Sequence, residues 1–121
     1  MKTPLLLTIT KIINMVHFNY IKEINTLICD FHGRLGADNS QELNDSIQNA
    51  LDEYIAKEEN NLSLKVQFDM KAVSYIASSF IRISVAVAKQ IEKGNFSIIN
   101  TSPMIKKTFK IAGLDEILNV A

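Results

Sequence analysis

Cysteine is nearly absent from this 121-residue chain, which carries Cys29 alone, so no internal disulfide can form and a reducing compartment is its natural setting. Its place in Leu27-Ile-Cys-Asp-Phe31 predicts a small buried side chain. Histidine is scarce as well. His17 and His32 are the only two, and neither has a neighbouring Cys or His at ligand spacing, which argues against a metal centre. Net charge is missing too: thirteen basic residues balance thirteen acidic ones, so no long-range field draws the chain toward nucleic acid or an anionic membrane. No apolar run approaches the roughly 18 residues of a membrane-spanning helix. Gly33-Arg-Leu-Gly36 is too short for a phosphate loop and lacks its lysine. Ser78, His32 and Asp69 supply the residue types of a hydrolytic triad, but no G-x-S-x-G elbow surrounds the serine, so an enzyme is not expected. Internal repeats and low-complexity tracts are absent.

What remains is a composition of 47% hydrophobic and 21% charged residues, enough to bury the core of one domain. Residues 1–14 read as an N-terminal extension, either an added strand or a flexible lead-in. Lys2 and Leu5-Leu-Leu-Thr-Ile9 begin like a secretory signal, but Thr8, Thr10 and Lys11 break the apolar run and no small-residue cleavage site follows. Residues 15–121 read as the folded domain. Val16 to Ile21 and Ile24 to Phe31 are rich in β-branched and aromatic residues and predict a hairpin turning at Lys22-Glu23. The glycines and the Asp-Asn pair of His32-Gly-Arg-Leu-Gly-Ala-Asp-Asn39 predict a turn. Asn39-Ser-Gln-Glu42 then has the form of a capping box opening a first helix, with Leu43, Ile47, Ala50, Leu51, Tyr54 and Ile55 on one face and an end at Glu58-Glu-Asn-Asn61.

Leu62, Leu64, Val66 and Phe68 alternate with polar residues as in a strand. A second, apolar helix is expected from Ser78 to Lys93, with Gly94 behind it. Phe96 to Ile99 predicts a short strand, and Ser102-Pro103 a third helix running to about Ala112, with Met104, Ile105, Phe109 and Ile111 as its apolar surface and Lys106, Lys107 and Lys110 on a solvated side. The order β-β-α-β-α-β-α implies an α/β fold: a mixed, mainly parallel sheet with an N-terminal hairpin and helices packed against it.

The most informative stretch is Phe68 to Ile83, which runs from a strand through a short turn into Ser78-Ser79 at the start of the apolar second helix. The free N–H groups and positive dipole end of a helix favour negative charge, so a hydroxyl there can cap the helix and can also carry a phosphate. Phe80, close to the helix start, is an expected exposed anchor at the mouth of that turn.

Taken in order, Gly33-Arg-Leu-Gly-Ala-Asp-Asn-Ser40, the strand to Asp69-Met70, Val73-Ser-Tyr-Ile-Ala-Ser-Ser79, Gly94 with Phe96-Ser-Ile-Ile-Asn100, and Ser102-Pro103 through Phe109-Lys-Ile-Ala-Gly-Leu114 resemble a STAS domain of the anti-sigma factor antagonist type. The resemblance implies a single-domain, non-enzymatic, cytoplasmic bacterial module without cofactor that regulates transcription by partner switching. Its implied partners are an anti-sigma factor with serine kinase activity and a serine phosphatase, with neither nucleic acid nor direct membrane insertion. Motif to motif, it places the phosphorylation site at Ser78, with Ser79 as the second choice, and the partner surface at Asp38, Asn39, Ser40, Ala77, Ser78, Ser79 and Phe80. The chain departs from the pattern at Ala77, where the family commonly has Asp or Ser, at Phe80, where it usually has Gly, and at Gly36, where an acid is often found. Ala77 and Phe80 motivate an alternative, a STAS subunit docking constitutively on a transporter or other membrane assembly; a small-molecule or nucleotide binder or enzyme is the third reading.

Overall fold

The computed structural model describes residues 8–13, 15–56 and 63–121. Five strands form one sheet in the order β1 (Thr8–Ile13), β2 (Val16–Ile21), β3 (Thr26–Leu35), β4 (Lys65–Ile76) and β5 (Phe96–Ile99). The β1–β2 and β2–β3 ladders are antiparallel, and β3–β4 and β4–β5 are parallel. Helices α1 (Ser40–Ala56), α2 (Ser78–Ala88) and α3 (Pro103–Ile111) complete the mixed-sheet α/β fold that the sequence implied. The expected helix end at Glu58-Glu-Asn-Asn61 lies outside the described residues.

Register explains which side of the sheet is covered. Phe18, Cys29, Phe68 and Ile98 are paired neighbours on four successive strands, and all are fully buried. The aromatic rings extend this row into the helices. Tyr54 of α1 stacks on Tyr20 with centroids 4.5 Å apart, and Phe80 of α2 meets the rings of Phe31 and Phe68 at 5.2 and 5.8 Å. Burial pushes the Cys29 thiol pKa far up, so it stays protonated and acts as a small apolar side chain. On the opposite side, His17, Asn19, Ile28, Asp30, Gln67, Ser97 and Ile99 are only half-buried.

Several elements depart from the sequence expectation. The hairpin turn is a 3₁₀ turn at Lys22–Ile24 closed by Asn25 in the left-handed region, so β3 starts at Thr26 and Ile24 is exposed. The segment His32 to Leu35 is strand rather than turn: β3 absorbs its irregularity as register shifts after Asp30 and after Gly33, where Gly33 adopts φ +87°. Pairing with this extended β3 carries β4 on to Ile76, so no separate turn precedes the two serines. Helix α2 stops at Ala88, earlier than Lys93, because the chain tightens into i→i+3 bonds at Gln90 and Ile91 before Gly94. Helix α3 begins as expected, with Ser102 Oγ accepting from the Ile105 N–H at 3.3 Å and Pro103 in the first turn. Only Ile105 and Phe109 of its apolar residues are buried; Met104 and Ile111 face solvent. Ile55 of α1 is likewise exposed.

One buried carboxylate ties the half-covered side together. Asp69 accepts from the Lys71 N–H at 3.1 Å, the Asn100 amide at 3.1 Å and the Lys71 ammonium at 3.0 Å, and that ammonium also reaches Asp30 at 3.2 Å. Burial by itself would raise the Asp69 pKa; the hydrogen bonds from Lys71 and Asn100 together outweigh it and hold the carboxyl below its ordinary value. The Lys71 pKa is raised, chiefly by its bonds to Asp69 and Asp30. A lowered acid contributes stability above its unfolded pKa that is lost as pH falls through the folded value. A raised base contributes below its unfolded pKa and loses that contribution as pH rises through its folded value. The network therefore stabilises the fold between about pH 4 and pH 10. Lys71→Met is expected to cost on the order of 1 kcal/mol at pH 7, and that cost should shrink as pH falls through the lowered folded-state pKa of Asp69, where the carboxylate takes up its proton; urea unfolding over a series of acidic pH values checks this.

Candidate functional site at the start of α2

The β4–α2 junction is built without a linker. Ala77, the residue after β4, donates its N–H to the Leu35 carbonyl at 2.9 Å, which locks the end of the parallel β3–β4 ladder. Its backbone stays extended, φ −93° and ψ 166°, while its carbonyl already accepts from the N–H groups of Phe80 at 3.0 Å and Ile81 at 3.4 Å. Ala77 is thus the N-cap, and no side chain caps the helix. The serines, expected to serve as caps, are the first and second helical residues instead, because strand pairing runs up to the helix and leaves the half-extended position to Ala77.

The next three residues have different fates. Ser78 is exposed. Ser79 turns its hydroxyl inward, where Oγ is buried and has no hydrogen-bond partner among the described residues. Phe80, expected at the mouth of the turn, is wholly buried instead, since the helical 100° step from Ser79 aims it at Phe31 and Phe68. A buried hydroxyl without a partner costs stability. Ser79→Ala is therefore expected to stabilise the fold by about 1 kcal/mol, whereas Ser78→Ala should leave stability within about 0.5 kcal/mol of the parent; thermal unfolding of the two variants separates them.

Beside this helix start lies the 3₁₀ turn Ala37–Asn39, which runs directly into α1. Asp38 is exposed. Asn39 does not act as the N-cap of a capping box: its amide reaches back to the Arg34 carbonyl at 3.1 Å and to the Met15 sulfur at 2.9 Å. Ser40 is already helical and donates its hydroxyl to the Ala37 carbonyl at 3.1 Å, so α1 is entered from the 3₁₀ turn rather than from an extended residue. Ser40, Gln41 and Asn44 of α1 face Ser79, Arg82, Ile83 and Ala86 of α2 across an open groove of about 290 Å³.

Of the residues singled out from the sequence, the fold thus brings Ser40 and Ser79 to one groove, with Asp38 and Ser78 exposed on the elements beside it. Phe80 belongs to the core. Gln41, Asn44 and Arg82 were not anticipated. Helical spacing could have flagged Arg82, four residues after Ser78; nothing in the polar face of the first helix distinguished Gln41 and Asn44 before the packing of α1 against α2 was known.

Fold and site together define an α/β domain whose exposed polar feature is a serine at a helix start, with no cluster of His, Cys, Asp or Glu among the described residues able to hold a metal ion. The chain belongs to the STAS domain family, whose family model matches residues 12–121. Solved structures with the same fold include an anti-sigma-factor antagonist (STAS) domain protein from Planctomyces limnophilus, 19% identical, with a TM-score of 0.72 over 91% of each chain. The anti-sigma factor antagonist SpoIIAA in its unphosphorylated form is 16% identical, with a TM-score of 0.63 over 94% of this chain and 87% of its own. No curated protein matches the sequence.

Proposed function

We propose that this chain is an anti-sigma factor antagonist that works by partner switching in the bacterial cytoplasm. In this reading the unphosphorylated domain binds an anti-sigma factor with serine kinase activity, that partner phosphorylates Ser78, and the phosphate ends the contact until a serine phosphatase removes it. The observation that carries the reading is the position of Ser78: exposed, first in α2, and free of any capping duty because Ala77 holds that place. A phosphate there adds about −1.5 to −2 charges and three acceptor oxygens to a surface that already presents Asp38 next door. Repulsion and desolvation at the contact then break it without refolding the domain. The partner surface comprises Asp38, Asn39, Ser40, Ala77, Ser78 and Ser79. Phe80 is buried and so does not contribute to that surface.

The test is intact-mass and peptide mass spectrometry of the protein isolated from its own cells, and after incubation with candidate anti-sigma kinases and ATP. One phosphate on the Ser78 peptide supports the switch. An unmodified Ser78 under every condition overturns it.

A further inference from the structure

Arg82 lies one helical turn beyond Ser78 on α2, and both side chains are exposed. Residues four apart on a helix have Cβ atoms about 5–6 Å apart, within reach of a guanidinium folded back toward the N-terminus. Arg82 has no carboxylate partner among the described residues, so its charge is not already committed. It also lines the groove between α1 and α2 together with Ser40, Gln41, Asn44 and Ser79. The first turn of α2 contains no acid; the carboxylates on the adjoining elements are Asp38 in the 3₁₀ turn, Glu42 and Asp45 in the first half of α1, where Asp45 accepts from Gln41 at 3.3 Å, and Asp52 and Glu53 two to three turns further along α1.

From this arrangement we infer that Arg82 is the intramolecular partner of phosphorylated Ser78, pairing with the phosphate along the helix and holding it over the α1–α2 groove. A guanidinium matches two phosphate oxygens at once, which an ammonium does not. The pairing gives the modified side chain one direction instead of a freely rotating charge, and sets the phosphate toward the 3₁₀ turn and α1, the same surface assigned to the partner. The inference rests on Ser78 being the acceptor.

Phosphoserine installed at position 78 through a reassigned stop codon tests the pair without any kinase. Phosphorus NMR of the phosphoprotein across pH 4 to 8 reads the second ionisation of the phosphate. Relative to the parent, Arg82→Gln should raise that ionisation by about half a unit or more, Arg82→Lys by less, and Lys89→Gln, at the far end of α2, not measurably. The unphosphorylated Arg82→Gln protein should melt with the unphosphorylated parent, which excludes a general loss of structure. Identical titrations of parent and Arg82→Gln, or an equal shift from Lys89→Gln, would overturn the pair. Absence of kinase modification at Ser78 in cells is a separate result: it defeats the switch, whereas the titration reports on the pair alone.

Discussion

Phe80→Ala is expected to destabilise the domain by about 3–5 kcal/mol, a large share of the total stability of a domain of this size. The ring is fully buried, stands edge-on to Phe31 at 5.2 Å and tilted to Phe68 at 5.8 Å, and these rings continue through Phe68 to Phe96 at 4.9 Å. Removing it opens a cavity at the point where α2 is fastened to β3 and β4, and the neighbouring rings cannot close it without leaving their own contacts. Urea unfolding followed by far-UV circular dichroism measures the loss. A cost below about 1 kcal/mol would mean that the ring is not seated in the core. Phe80→Leu, which keeps most of the volume, should cost less than half as much as the alanine variant.

The second large effect is on binding. Ser78 phosphorylation, or Ser78→Asp as its imitation, is expected to weaken the complex with the anti-sigma partner by roughly 100-fold or more, equivalent to about 2.7 kcal/mol. Ser78→Ala should retain the affinity of the parent, because the hydroxyl neither caps the helix nor packs in the core. Isothermal titration calorimetry against the purified partner compares the three proteins, and circular dichroism confirms that all are folded. Equal affinity of the parent and both charged forms would count against the switch. The contrast with Phe80 matters here: the two residues are two positions apart, yet one change should alter stability and the other recognition.

The hairpin, the period-two strand leading to Phe68, the amphipathic first helix and the Ser102-Pro103 helix start were all legible in the sequence. Each is encoded by residues adjacent in the chain: β-branched runs, alternation, three- and four-residue apolar steps, a hydroxyl before a proline. The segment His32 to Leu35 was not, since its two glycines read as a turn while the long β3–β4 ladder holds it as strand. Strand pairing is a property of two distant segments, and it also moved the capping position from the serines to Ala77. The site shows the same division. Ser78 and Ser79 could be found from their place before an apolar run, but not the fact that one hydroxyl faces water and the other is buried.

By itself, then, the sequence determined that this is a disulfide-free, charge-balanced α/β domain with a serine pair opening its second helix, because composition and local periodicity need no tertiary partner to be expressed. Only the tertiary structure decided that Phe80 is core, that Ala77 is the cap, and that Ser40, Gln41, Asn44, Ser79 and Arg82 share one groove. The reason is physical: burial and proximity are set by how α1 and α2 pack on the β3–β4 ladder, and neither contact is carried by any stretch of chain short enough to be read alone.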